Sequence, residues 1–204
     1  MDEKAGKILK GAFELFNKYG IKSISMDDIC QELGISKKTL YQYYKNKEDL
    51  LEKGLLIENE LINSTLSDIK LRAENAIDAL LQVSLTINKH FVKPNLIFRR
   101  DLQKFYPELF KTQLGGRREH ILQKIKENLV TGIQEGLYRE DLMIDLVAQL
   151  YVQRLADMFN TDFLSNENLT FEKVFEVMFE NHIRGISNQK GIEYFEKKKE
   201  SLKL

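Results

Sequence analysis

The sequence contains few residues that cross-link, kink or anchor a chain. Of its 204 residues, one is cysteine, two are proline and none is tryptophan. The single cysteine, Cys30, excludes an intrachain disulfide framework, and so few prolines leave room for long uninterrupted helices. No apolar run approaches the roughly 20 residues that a membrane-spanning helix needs. The N-terminus MDEKAGKILKG also lacks the apolar stretch of a signal peptide. These absences predict a cytoplasmic protein without a membrane partner.

Motifs for catalysis and metal binding are missing as well. The sequence has no glycine-rich phosphate loop and no HExxH or CxxC spacing, and its three histidines are scattered. We therefore predict no enzyme, no cofactor and no metal site. Lysine plus arginine and aspartate plus glutamate both number 31, so the formal net charge is zero. This balance argues against a general basic coating of nucleic acid, but it leaves room for a local patch.

The apolar residues that are present recur with a period close to 3.6 almost everywhere, which predicts an all-α fold. Gly20 and Gly34 follow the first two helices, where a glycine permits a left-handed turn. Three N-caps are predicted at the next helix starts: Ser25 with Asp28, Ser36, and Asn46 with Asp49. Pro107 is placed to begin a later helix, and Gly136 to follow its end.

This pattern divides the chain into a three-helix head, residues 1–46, and a larger helical part, residues 47–204. A long helix over residues 47–70 links the two. Two short helices around a glycine turn, as in the head, match the helix-turn-helix motif, whose second helix enters the major groove of DNA. The turn alone is weak support, because such corners are common.

The chemistry of the third helix strengthens this interpretation. On a helical wheel with Leu40 facing the core, Lys38 and Gln42 point directly away, and Thr39 and Tyr41 flank them. All four can donate hydrogen bonds to phosphates or base edges. No acid occurs between residues 33 and 47, although four lysines lie between residues 37 and 47. Lys47 lies in the first turn of the next helix, where the macrodipole disfavours a cation but suits a phosphate.

The segments ILKGAFELFNKYG and ISMDDICQELGISKKTLYQYYKNKEDLL closely resemble the head of the TetR family of bacterial transcription regulators. The resemblance covers about residues 8–55. It implies DNA contacts from Ser25, Lys37, Thr39, Tyr41, Tyr43 and Lys47, to which the wheel adds Lys38 and Gln42. Position 38 is often glycine in this family, so Lys38 is a departure that puts the details of docking in question. Cys30 is interpreted as a small apolar filler of the core.

The resemblance also implies that residues 47–204 form a ligand-binding and dimerisation domain, so the expected partners are operator DNA, a small-molecule effector and a second copy. The last long helices, LMIDLVAQLYVQRLADMF and FEKVFEVMFENHIRGI, carry more apolar surface than a one-sided helix needs. We expect part of this surface to form the dimer interface, with intrachain core as the alternative. Phe175 and Phe179 belong to this surface. The candidate effector residues are Phe91, Phe98, Arg99, Phe105, Tyr106, His120, Tyr151, Arg154 and Phe159.

The resulting hypothesis is a DNA-binding regulator, most simply a repressor that a small, largely apolar effector releases from its operator. Two alternatives stay open at this point. The chain could be an activator, since the sequence does not reveal where its operator lies. It could also be an interaction protein of TetR-like shape that has lost DNA binding, although the intact set of lysines speaks against this.

Overall fold

The protein is all-α, as predicted. The structure, a computed structural model, describes residues 2–91, 96–158 and 171–202. Within these ranges an isolated antiparallel bridge between Tyr138 and Ser187 is the one β-type pairing. The helices are α1 (Glu3–Tyr19), α2 (Met26–Glu32), α3 (Lys37–Tyr43), α4 (Lys47–Arg72), α5 (Ala76–Phe91), α6 (Leu96–Phe105), α7 (Pro107–Gln134), α8 (Ile144–Met158), α9 (Phe171–Ile186) and α10 (Gln189–Leu202).

Local residues determine several of these boundaries, and the corresponding predictions are confirmed. Gly20, Gly34 and Gly136 all have positive φ angles, of 85°, 63° and 66°. Such angles strain a residue that has a Cβ atom, so glycine allows the chain to turn at these helix ends. Helix α7 begins at Pro107, whose missing N–H would have had no partner in the first turn.

The chain divides into two compact units, the first made of Met1–Asn63 and Asn95–Arg117. Its core is formed by α1–α4 together with Leu102 of α6 and Leu109 of α7. Helices α1 and α4 approach closely, because a Cβ atom at Gly54 would lie only 2.1 Å from the Phe13 ring. The boundary predicted between residues 46 and 47 divides the chain into two continuous segments. The compact units instead follow packing, and they divide within α4 and α7.

Helix α6 is tied to the turn after α1 within the first unit. An Asp101 carboxylate oxygen accepts a hydrogen bond of 2.8 Å from the backbone N–H of Lys22. The same oxygen would lie 2.8 Å from a Cβ atom at Gly20. A side chain at position 20 would therefore meet both an unfavourable φ angle and the docked α6.

The second unit, Ser64–Pro94 and Arg118–Leu204, has a separate core. It contains Ile77 and Leu81 of α5, Leu129 of α7, Ala148 of α8 and Ile183 of α9, among others. A polar contact is embedded beside it: the Tyr138 hydroxyl lies 3.1 Å from the Asn128 side-chain oxygen. The Asn128 amide in turn donates to the Ala76 carbonyl over 2.8 Å. Burial raises the pKa of Tyr138 far above its ordinary value, so its hydroxyl stays protonated.

Candidate nucleic-acid interface

Two N-caps define where α2 and α3, the helices on either side of the Gly34 turn, begin. The Ser25 hydroxyl accepts from the Asp28 backbone N–H, and the Asp28 carboxylate accepts from the Ser25 backbone N–H. This reciprocal pair is the predicted capping box with aspartate in place of glutamate. The Ser36 hydroxyl caps α3 by accepting from the Thr39 N–H over 3.1 Å. The start of α3 is thus defined by its own residues.

Helix α3 has one buried face and one exposed face, in the orientation that the helical wheel predicts. Leu40 is fully buried, and Tyr44, just after the helix, donates from its hydroxyl to the Ala5 carbonyl over 2.9 Å. Lys38, Tyr41 and Gln42 are exposed on the other side. These three side chains therefore form an accessible polar surface on α3.

Lys37 is also exposed, but it forms an ion pair with a residue of another helix. Its ammonium lies 2.7 Å from a carboxylate oxygen of Asp27 on α2. The hydrogen bond to Asp27, with the carboxylate's charge, raises the pKa of Lys37. The acid-free run from residue 33 to 47 therefore does not present all of its positive charge, because α2 supplies a carboxylate to it.

Three other predicted contacts are partly engaged within the head. The Ser25 hydroxyl also donates to the Asp28 carboxylate over 2.6 Å, so within the capping box this hydroxyl acts both as donor and as acceptor. The Thr39 hydroxyl lies 2.9 Å from that of Ser36. Tyr43 is half-buried, and burial followed by the charge of Asp2 raises its pKa. A DNA contact from any of them would have to share or replace these interactions.

Lys47 begins α4, where the sequence predicts a phosphate contact, but its side chain contacts the turn after α1 instead. Its ammonium donates to the Ile21 backbone carbonyl and lies 5.6 Å from the centre of the Phe16 ring. Burial lowers the pKa of Lys47, while Asp101 and Asp28 act in the opposite direction. In this conformation Lys47 connects the start of α4 to the turn after α1. Its predicted phosphate contact stays a prediction.

Cys30 is buried in the core of the first unit and is a free thiol. Burial raises the pKa of the thiol, so it is held in its less reactive form. The interpretation of Cys30 as an apolar filler is therefore supported. Among the described residues, no three metal-binding side chains form a cluster and no helix could span a membrane.

This geometry belongs to a known class of protein. The sequence profile "Bacterial regulatory proteins, tetR family" matches residues 8–53, which contain α2, α3 and the turn between them. An HTH-type transcriptional regulator of Staphylococcus aureus (strain USA300) is 30% identical over 127 residues, 54% of this chain and 69% of that protein. The fold and the exposed α3 face are those of a helix-turn-helix, DNA-binding transcription regulator. More specifically, the chain belongs to the TetR family.

Two further relatives span more of the chain. The "Fatty acid metabolism regulator protein" of Bacillus subtilis (strain 168) is 26% identical over 191 residues, 90% of this chain and 95% of that protein. The "HTH-type transcriptional repressor KstR2" of Mycobacterium tuberculosis (strain H37Rv) is 23% identical over 150 residues, 72% and 75% of the two chains. The solved structure of the KstR2 ketosteroid regulator matches with a TM-score of 0.60 over 93% and 97% of the chains, at 21% identity. This similarity shows a common fold.

The candidate effector residues belong to both compact units. Phe98 and Tyr106 pack against the core of the first unit, Arg99 is half-buried there, and Phe105 is 38% exposed. In the second unit, Tyr151 is buried, His120 is half-buried and Arg154 is exposed on α8. The side chain of Phe91 and all of Phe159 lie outside the described residues. Their role as ligand contacts stays a prediction.

His182, on α9, is a polar residue that the sequence reasoning missed. It is only 9% exposed, its ring stacks on Tyr151 with centroids 3.9 Å apart, and its Nε2 atom has no hydrogen-bond partner. Burial, with a smaller contribution from the charge of Arg154, lowers the pKa of His182 to about 4. The pattern could have revealed it, because Phe175, Phe179, His182 and Ile186 follow one another at helical spacing along a buried face.

Proposed function

We propose that this protein is a dimeric transcriptional repressor that leaves its operator when a small, largely apolar effector binds. The observation that carries the DNA-binding part is the exposed Lys38–Tyr41–Gln42 face of α3. Lys38 is proposed to contact phosphate, and Gln42 to read a base edge in the major groove. Ser25, Lys37, Thr39, Tyr43 and Lys47 complete the proposed contact set.

Dimerisation is supported by apolar side chains that α8, α9 and the turn before α8 leave exposed. Leu150 is 55% exposed and Val177 is 61% exposed, and Met143 and Leu146 are exposed as well. Water contact on such side chains is unfavourable, so a surface that carries several of them favours association. By contrast, Phe175 and Phe179 are buried within a single chain, so the core interpretation is right for these two residues. We assign the interface to the exposed set.

A dimer gives the DNA contacts their geometry. Two α3 helices related by twofold symmetry can enter successive major grooves about 34 Å, or a multiple of this, apart. The operator is therefore expected to be a pseudo-palindrome. An effector can weaken binding only by as much as it prefers the state that does not fit this spacing. Helix α4, continuous from Lys47 to Arg72, connects the head to the rest of the chain and is the proposed route of this coupling.

Two relatives support the rest of the proposal. One is named a repressor and the other a regulator of fatty acid metabolism, so an apolar effector and a repressor role are reasonable starting hypotheses for this chain. Capture of bound genomic fragments would identify the operator, and its position relative to the promoter would separate repression from activation. A gel-shift titration on such a fragment would then test DNA binding. Failure to prefer any fragment at physiological salt would refute the proposal.

A further inference from the structure

A single peptide group in the turn after α1 is bound by charged side chains of two other helices. Its N–H, which belongs to Lys22, donates to an Asp101 carboxylate oxygen of α6 over 2.8 Å. Its carbonyl, which belongs to Ile21, accepts from the Lys47 ammonium at the start of α4. Asp101 lies 79 positions from Lys22 in sequence, and Lys47 lies 26 positions from Ile21. All four residues belong to the first compact unit, whose packing brings them together.

The polarity of the peptide group suits both partners. The anion accepts from its N–H end and the cation donates to its carbonyl end, so each interaction polarises the group in the direction that strengthens the other. Hydrogen bonds with one charged partner are also roughly twice as strong as those between neutral groups. Asp101 and Lys47 therefore hold this turn cooperatively.

The surroundings leave the turn little room to move. Ile21 is fully buried, and Asp101 is half-buried. The preceding residue is Gly20, where a Cβ atom would lie 2.8 Å from the Asp101 oxygen and 2.9 Å from Cγ2 of Ile97. Helix α6 thus lies directly against the backbone of the turn, and the carboxylate is at hydrogen-bonding distance because the glycine leaves that space open.

This turn leads directly into the DNA-binding motif. Only two residues separate Lys22 from Ser25, the N-cap of α2. One of them, Ile24, is buried, so a shift at Lys22 would be passed on to α2 or would disturb a core contact. Helix α2 in turn shares a core with α3, since Ile29 and Leu40 are fully buried in the same cluster. A displacement of the turn would therefore reach the exposed face of α3.

We propose that Asp101 is a positioning residue for DNA binding, because it holds the turn that sets the placement of α2 and α3. The inference rests on the proposed contacts between α3 and DNA, and it adds a residue that makes none of them. Asp101 lies outside residues 8–53, which the family profile matches. Charge alone predicts the opposite effect, since the loss of an acidic group leaves affinity for a polyanion unchanged or raises it. A loss of affinity would therefore report positioning.

The test measures the affinity of the full chain for a captured genomic fragment in gel shifts. Asp101→Ala should weaken binding about tenfold, and Asp101→Asn, which retains an oxygen acceptor, only about threefold. The dependence of log affinity on log salt should keep its wild-type slope, because no phosphate contact is lost. Glu14→Ala removes an acid from an exposed position of α1 and should not weaken binding. Urea unfolding verifies that each variant is folded under the assay conditions.

A second measurement follows the turn in the absence of DNA. Hydrogen exchange of the Lys22 amide, observed by NMR, should be about tenfold faster in Asp101→Ala, because the amide has lost its acceptor. Exchange of the α2 amides should also become faster, since the start of this helix is held less firmly. Glu14→Ala should resemble wild type in both respects.

Wild-type affinity in Asp101→Ala would overturn the inference, even if the variant were less stable, because Asp101 would then have a structural role only. An equal loss in Glu14→Ala, or unchanged exchange of the α2 amides, would overturn it as well. Should Asp101→Ala not fold, Asp101→Asn decides by the same criteria. Selective wild-type binding combined with wild-type affinity in the variant refutes this inference alone. A wild-type protein that prefers no fragment refutes the proposed function, and the inference with it.

Discussion

The exposed faces of α3 and of α8 and α9 differ in chemistry, although both are accessible in a single chain. The α3 face consists of a cation, a phenol and an amide. The α8 and α9 faces include Leu146, Leu150 and Val177. Water solvates the first set well and the second set poorly. Exposure alone therefore identifies neither as a binding surface, but chemistry indicates a polyanion for one and another apolar surface for the other.

The buried polar groups near these faces also differ, in whether they have hydrogen-bond partners. Behind α3, the buried Tyr44 hydroxyl finds the Ala5 carbonyl, so the polar group is satisfied. In the second unit, Nε2 of His182 and the Ser187 hydroxyl are buried without hydrogen-bond partners. An unsatisfied buried polar atom costs on the order of 1–3 kcal/mol. These two atoms therefore carry a desolvation cost that the Tyr44 hydroxyl avoids.

The largest effect is expected from a charge introduced among the exposed apolar side chains of α8 and α9. Leu150→Glu places a charge among the side chains proposed to meet a second copy, and it should yield a monomer at micromolar concentration. Losing one of two linked heads should reduce operator affinity by about 100-fold. Analytical ultracentrifugation and gel shifts measure the two quantities. Gln149→Glu adds the same charge at an adjacent exposed position and should leave the dimer intact. A dimeric Leu150→Glu protein would remove Leu150 from the interface.

The second prediction concerns the buried imidazole. Its pKa is lowered to about 4 from 6.5, so the unfolded chain binds more protons between these pH values. The free energy of unfolding should consequently fall as the pH is lowered from 6.5 to 4, by about 3 kcal/mol from this group. Urea unfolding at pH 4.5 and 7.5 measures the change. His182→Leu should abolish this component, whereas His120→Gln should retain it. Equal pH dependence in wild type and His182→Leu would contradict the assignment.

On the exposed face of α3, substitutions of Gln42 and Lys38 should have distinguishable effects on DNA binding. Gln42→Ala should reduce affinity for the best operator about tenfold and relax the preference at one base pair, since it removes a base contact. Lys38→Ala should weaken binding to all sequences and flatten the dependence of log affinity on log salt by about 1. Gel shifts on operator and scrambled fragments at three salt concentrations separate the two. Lys10→Ala, at an exposed position of α1, is the matched charge control.

The smallest effect is predicted for Lys47. Lys47→Met keeps the aliphatic chain but leaves the Ile21 carbonyl without its donor, so the free energy of unfolding should drop by about 1 kcal/mol. A phosphate contact predicts, in addition, a salt slope that is lower by about 1. Chemical denaturation and salt-dependent gel shifts report these separately. A wild-type slope in a destabilised variant would leave Lys47 with a structural role only.

The local features of the fold were predictable because their causes lie within a few residues. The Ser25–Asp28 box and the Ser36 cap need only three-residue spacing. The Asn46 side chain likewise accepts from the Asp49 N–H over 2.8 Å, as predicted. The orientation of α3 followed from a single buried residue, Leu40, and from helical geometry.

Features that depend on packing between distant segments could not be derived in this way. The partner of Lys37 lies ten residues away on another helix, and that of Lys47 lies 26 residues away on a backbone carbonyl. Residues 96–117 belong to the same compact unit as the head although they lie far along the chain from it, so Phe98 and Tyr151 fall in different units. Hydrophobic periodicity identifies the buried side of a helix, but not the helix that covers it.

The ion pair between Lys37 and Asp27 has a consequence for the proposed DNA contacts of the head. Lys38 has no ion-pair partner among the described residues, so a phosphate would meet its charge uncompensated by a carboxylate. To make its proposed phosphate contact, the ammonium of Lys37 would have to leave the Asp27 carboxylate, which requires close approach of the two surfaces. On the proposed contact set, Lys38 would therefore act from the first encounter with DNA, whereas Lys37 would contribute only once the two surfaces are in contact.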